Sequence, residues 1–160
     1  MLTVTETIMI DADLSQVFDC FWNPQYWPRL TDHVKGIEML DANETQQRFK
    51  MLVESNGKQF LMETERQCVL NSIISYRQTQ PPPFLQKHTG RWEFVAGRDG
   101  VSVTLTHDVV IDEEKALKLL PVSNLDEAKR MIGENLKRNG SLTMNAVKRY
   151  LEQTPVTASI

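Results

Sequence analysis

The chain has 160 residues, a formal net charge of -3, and 24% charged and 41% hydrophobic residues. A single domain of this length buries about two thirds of its unfolded surface, so it holds a core without metal or disulfide staples. Basic residues are scattered rather than clustered, and nowhere do about 18 apolar residues follow one another, so neither a nucleic-acid partner nor a membrane span is expected. Cys20 and Cys68 stand in apolar segments away from any ligand spacing and read as free thiols of a reducing compartment. The N-terminus MLTVTETIMI lacks the basic region and apolar run of a secretion signal, and a cytoplasmic monomer or homodimer is expected.

Residues 3–10 alternate as a strand. In the following DADLSQVFDCFW, Asp13 is placed as an N-cap with Gln16 three residues on, ahead of Val17, Phe18, Phe21 and Trp22 at helical spacing. Pro24 and Pro28 interrupt NPQYWPRLTDH, which predicts a second, brief helical turn ending near Asp32. Six strands are predicted over 34–41, 46–55, 58–68, 72–79, 87–96 and 101–111, separated in part by DANE, SNG, LNS and GRDG, with Asn56-Gly57 a strong hairpin signal. Pro81 to Pro83 predict a stiff extended connection. After IDEE the period changes, and Leu125, Ala128, Ile132, Leu136, Thr143, Val147 and Leu151 mark one face of a helix over 124–152. These elements predict one α+β domain over 1–153 with a short polar tail, 154–160. A curved antiparallel sheet crossed by one long helix leaves a cavity between its layers.

Strand alternation puts Phe60, Met62, Thr64, Arg66 and Cys68 on one face, and Val101, Val103, Leu105, His107, Val109 and Ile111 on one face of the last strand. Phe49, Met51, Val53, Met39, Trp92 and Phe94 complete an inner face that suits a bulky unsaturated ligand as well as plain packing. An inward arginine keeps its charge and calls for a carboxylate, carbonyls or ligand oxygens. A strand-end ion pair to Glu63 or Glu65, under a one-residue register shift, and a ligand contact both stand for Arg66. His107 is a satisfied core histidine or, with Arg66 on the same apolar lining, part of a site. Trp22, Trp27 and Trp92 read as core or lining, and Arg77 and Arg91 as solvated strand residues or lining. His88, beside the proline loop, is expected to be exposed. Asn135, Asn139 and Thr143 lie along or beside the helix's inner stripe, where they orient a water or merely fill space. No Gly-rich phosphate loop, metal-ligand cluster, Ser/His/Asp order or paired carboxylates occur, so cofactor-free chemistry without a metal is expected.

The segment IDADLSQVFDCFWNPQYWPRL resembles the opening of the START-like helix-grip superfamily (SRPBCC, Bet v 1-like), with Asp13 where a proline is common. WPRL at 27–30, T-E-R at 64–66, R-x-x-x-P-P-P-F at 77–84, GRWEF at 90–94 and THDVVID at 106–112 are similar to the polyketide aromatase/cyclases of bacterial type II polyketide synthases. The likeness runs from about Thr3 to Val147. It implies a helix-grip fold, a seven-stranded sheet wrapped around the long C-terminal helix with two short helices after strand 1. It also implies that a poly-β-ketone borne by an acyl carrier protein enters the cavity, undergoes aldol closure and loses water to form an aromatic ring, with no cofactor. Ketosynthase/chain-length factor and ketoreductase are the further partners implied. Arg66 falls on the arginine of the family's S/T-x-R motif, held to bind carbonyl or enolate oxygen, and His107 on a polar pocket position. Trp27, Met51, Met62, Thr64, Arg77, Phe84, His88, Trp92, Phe94, Asn139 and Thr143 complete the implied substrate lining, with PPPF a rigid lip that places Phe84 against substrate. Several relatives carry a tryptophan at the place of Met62 and a tyrosine near Val34, so an aromatic contact and a phenol are missing at those positions. The alternative function for the same cavity is a non-catalytic carrier of a lipid, isoprenoid or aromatic ligand.

Overall fold

Strand β1 (Leu2–Ile10) turns Leu2, Val4, Glu6, Ile8 and Ile10 inward and Thr3, Thr5, Thr7 and Met9 to solvent, as period-two alternation requires. The computed structural model describes residues 1–55 and 57–153. Helix α1 (Leu14–Trp22) buries Val17, Phe18, Cys20 and Phe21; Asp13 has N-cap backbone geometry, but its side chain makes no capping bond. Packing of Phe18 and Phe21 against Phe94 and Trp92 therefore anchors α1 instead of a capping box. A 3₁₀ turn (Pro24–Tyr26) and helix α2 (Trp27–Leu30) follow, each with proline in its first positions, where the missing N–H costs nothing.

Strands β2 (Val34–Ala42), β3 (Gln46–Ser55), β4 (Lys58–Val69), β5 (Ile73–Gln80), β6 (Leu85–Gly97) and β7 (Gly100–Ile111) complete one sheet in the order β1-β7-β6-β5-β4-β3-β2, with antiparallel neighbours throughout. Ser55 pairs with Lys58 across the β3–β4 turn, and Gly57 has φ +78°, which suits a tight primed turn; Asn56 lies outside the described residues. The proline segment differs from its extended expectation. The Pro82 carbonyl accepts the Leu85 N–H at 2.9 Å, so Pro82–Leu85 close a tight turn with Pro83 at the position its fixed φ favours.

Helix α3 (Glu113–Leu119) is absent from the expectations: it buries only Ala116, too little apolar pattern to register, and its N-terminus is capped by Asp112, which accepts from Lys115 N at 3.0 Å. Helix α4 (Leu125–Gln153) lies across the sheet and buries Ala128, Ile132, Gly140, Thr143, Met144, Ala146 and Val147. The main core joins α1, α4 and the sheet; a smaller cluster of Leu85, Val109 and Ile132 closes the opposite end. The tail 154–160 lies outside the described residues.

Candidate functional site

Between the inner face of the sheet and α4 lies a cavity of about 230 Å³. Ser55, Lys58, Phe60, Phe84, Leu120 and Pro121 line one end, and Trp27 and Arg66 the other. Lys58 and Arg66 stand on one strand, about 26 Å apart at the rise of an extended chain.

Arg66 is 2% exposed. Its Nε and Nη2 donate to Gln47 Oε1 at 3.1 and 2.9 Å, and Nη2 also donates to the Trp22 carbonyl at 2.8 Å. The guanidinium carbon stands 5.2, 5.5 and 5.2 Å from the ring centres of Trp22, Trp27 and Phe49, an aromatic cage that offsets part of its desolvation. No carboxylate pairs with it among the described residues: Glu65 pairs with Arg77 at 2.8 Å, and Glu63 accepts from Thr79 at 2.6 Å. Burial pulls its pKa down to about 9, so the group remains a cation at neutral pH. Among the described residues Nη1 is buried without a hydrogen-bond partner, as is Thr64 Oγ1 two residues away on the same face.

Backbone register places Gln47, Arg66, Tyr76, Gly90 and His107 in one row across β3, β4, β5, β6 and β7. In this row the Tyr76 hydroxyl contacts His107 Nδ1 and lies 3.0 Å from His88 Nε2. His88 Nδ1 lies 3.0 Å from Gln78 Oε1, and the two imidazoles approach at 3.1 Å. Burial, and then the neighbouring His107, hold the pKa of His88 down to about 3; burial holds that of His107 down to about 4 against the opposing pull of Asp108, and raises Tyr76 well above its usual range. All three are neutral at pH 7. His107 Nε2 is buried, lines the cavity and has no hydrogen-bond partner among the described residues.

From α4, Asn135, Asn139 and Thr143 face the cavity at successive helical turns, with Gly140 beside Asn139. Thr143 Oγ1 lies 3.2 Å from His33 Nε2, a third buried histidine whose pKa burial lowers. Beside Gly140, the inward Glu6 accepts from Ser141, and burial raises its carboxyl pKa.

Of the residues expected from the sequence, Arg66, His107, Trp27, Met51, Met62, Thr64, Phe84, His88, Trp92, Asn139 and Thr143 line the cavity. Two do not. Arg77 is on the outer face, 61% exposed and paired with Glu65, because residues 74, 76 and 78 take the inner parity of β5. Phe94 is on the inner face but lies under α1, packed on Phe18 and Phe21 within the core. His88 is 4% exposed rather than solvated, since the turn before it folds Phe84 and Leu85 over the strand end. Gln47, Tyr76, Gln78, His33 and Glu6 went unnoticed in the sequence; strand parity identifies Tyr76, Gln78 and Glu6, whereas His33 has no periodic signal. A phenol does face the cavity, supplied by Tyr76 from β5.

A sheet gripping a long helix around a mostly apolar cavity, with a carboxylate-free arginine at one end and paired neutral imidazoles on its wall, defines a helix-grip protein with an internal cavity. The chain belongs to the family described as polyketide cyclase / dehydrase and lipid transport, whose model matches residues 10–137. Among solved structures it is similar to the di-domain ARO/CYC BexL from the BE-7585A biosynthetic pathway (27% identity, TM-score 0.88), covering 96% of this chain but 51% of that one. It therefore spans about half the length of that relative. It is also similar to the Zhui aromatase/cyclase from Streptomyces sp. R1128 (21% identity, TM-score 0.85, 98% and 97% covered). A START superfamily protein from Mycobacterium smegmatis shares the fold at 18% identity (TM-score 0.74, 94% and 97% covered). No curated protein sequence matches the chain. No described helix is long and apolar enough to cross a membrane.

Proposed function

We propose that the protein is an aromatase/cyclase that folds a poly-β-ketone, delivered on an acyl carrier protein, and catalyses its aldol cyclisation and dehydration. The observation that carries this reading is a set of buried polar atoms without partners among the described residues, on a mostly apolar wall: Arg66 Nη1, Thr64 Oγ1 and His107 Nε2. Each such atom costs about 1–3 kcal/mol when unpaired, and a chain bearing a carbonyl on alternate carbons supplies matching oxygens and acidic methylene hydrogens. Family membership and the likeness to proteins named ARO/CYC support the same reading.

Arg66 holds a substrate carbonyl oxygen and stabilises the negative charge that develops there, an effect worth about 3–4 kcal/mol at comparable sites. His107 Nε2 takes a proton from a methylene between two carbonyls, leaving an enolate whose carbon attacks a carbonyl held nearby, and returns that proton to the alkoxide so formed, giving the β-hydroxyl. In the dehydration that follows, a second C–H proton is taken and the departing hydroxyl is protonated and leaves as water. The apolar walls, Trp27, Trp92, Met51, Met62 and Phe84, exclude solvent and restrict the folds open to a reactive chain.

Reconstitution with a minimal polyketide synthase tests the proposal. The protein should convert a mixture of spontaneously closed rings into one aromatic product, and Arg66→Gln should restore the mixture. An unchanged product distribution, together with tight binding of an apolar ligand, would instead favour a carrier.

A further inference from the structure

The site carries more proton-bearing groups than this mechanism employs. Gln78 Oε1 only accepts, so His88 Nδ1, 3.0 Å away, carries a proton. A neutral imidazole has one N–H, so His88 Nε2 is bare and accepts the Tyr76 O–H at 3.0 Å. Having directed its single proton to His88, the phenol oxygen acts as acceptor toward His107 Nδ1. That nitrogen therefore holds the one proton of His107. The remaining lone pair, on Nε2, is buried and faces the cavity.

We infer that Gln78, His88 and Tyr76 form a polarised hydrogen-bonded relay that holds His107 in its Nδ1–H tautomer, with Nε2 presented to substrate as a proton acceptor. These three are positioning residues, acting through His107. The catalytic consequence rests on the aromatase/cyclase reading; the tautomer itself is a property of the free protein. When Nε2 accepts a proton from the methylene carbon, the C–H electron pair stays on the substrate as enolate. The Nδ1 proton moves to the Tyr76 oxygen and the Tyr76 proton to His88 Nε2, so the positive charge arrives at His88 beside the Gln78 carbonyl. Reversal delivers a proton from Nε2 to the β-hydroxyl as its C–O bond breaks, releasing water and restoring the relay. Burial makes both imidazolium forms strongly acidic, which favours that return.

The tautomer is read from two-bond ¹H–¹⁵N correlation spectra of the free protein carrying ¹⁵N-histidine. In the wild type, His107 Nε2 should resonate as an unprotonated nitrogen and Nδ1 as a protonated one. His88→Phe removes the acceptor of the Tyr76 proton, which then turns to His107 Nδ1, so the two assignments should exchange. Tyr76→Phe should leave them in place, because the 3.1 Å approach of His107 Nδ1 to His88 Nε2 becomes a direct bond. A protonated Nε2 in the wild type, unchanged assignments in His88→Phe, or exchange in Tyr76→Phe would each overturn the relay. Should His88→Phe fail to fold, the wild type and Tyr76→Phe still decide. A relay as described in a protein that closes no rings counts against the aromatase/cyclase reading alone.

Discussion

Tyr76 lies across the backbone of Gly90: a Cβ at position 90 would stand 2.5 Å from the Tyr76 hydroxyl oxygen and 2.2 Å from the Thr106 carbonyl oxygen. Gly90 pairs with Tyr76 on one side and His107 on the other, so the phenol reaches from β5 over β6 to β7. Its φ is not positive; the position demands glycine for space rather than for backbone freedom. The GRWEF motif thus owes its glycine both to the Thr106 carbonyl and to a side chain fourteen residues earlier.

Gly90→Ala should therefore destabilise the fold by about 1–3 kcal/mol or more, the usual range for overpacking a close contact. Urea denaturation measures it. In a Tyr76→Ala background the same substitution should cost less, because one of the two clashing groups has gone. An equal cost in both backgrounds would place the conflict in the β6–β7 backbone alone.

Arg66→Lys keeps the cation but loses the fork that spans Gln47, Trp22 and the cavity. We expect a folded protein, with helix content by circular dichroism unchanged, and a fall of roughly 10²–10³ in cyclisation rate on reconstitution. A variant that melts far earlier yet retains normal specific activity in its folded fraction would make Arg66 a structural residue.

Stability should depend on pH through the buried histidines. In the unfolded chain they bind protons below about 6.5, while in the folded chain His107 resists protonation to about pH 4 and His88 to about pH 3. Protonation thus favours unfolding, and stability falls as pH drops from 6.5 by up to about 1.4 kcal/mol per pH unit for each histidine. His33 adds in the same direction, whereas Glu6, raised by burial, opposes it. Comparing unfolding free energy at pH 7.5 and 5.0, the double variant His88→Phe/His107→Phe should lose less than the wild type.

At the mouth, Pro83→Gly should lower stability by about 0.4–1 kcal/mol through the freedom it gives the unfolded chain. Phe84, packed edge-on against Phe60 at 5.7 Å, depends on that turn for its place in the cavity wall. Product analysis should show a broader set of rings. A single unchanged product with a large drop in melting temperature would assign the prolines to the fold.

Much of this architecture is legible along the chain because side-chain direction in a strand is a local property of period two. Alternation alone turns Arg66 and His107 inward, and the same count applied to β5 selects Tyr76 and Gln78 over Arg77. The change to helical period after residue 124 likewise announces the long helix, whereas the seven residues of α3 bury too little to be read. Arg77 entered the expected site through a motif likeness, against its own parity.

Pairing across the sheet is a different kind of information. Which strands adjoin, and in what register, depends on where turns close and on which end of the sheet α1 covers, so neighbours distant in sequence meet without any local trace. Phe94 and Trp92 share a face and both pack on Phe21 of α1, yet only Trp92 also reaches the cavity. Parity can announce that Gln47, Arg66, Tyr76, His88 and His107 point inward; it cannot announce that Gln47 and the Trp22 carbonyl take the place of a carboxylate beside the arginine, nor that an absent side chain at Gly90 joins Tyr76 to His107. Those relationships are set by distances across strands, and only the folded chain determines them.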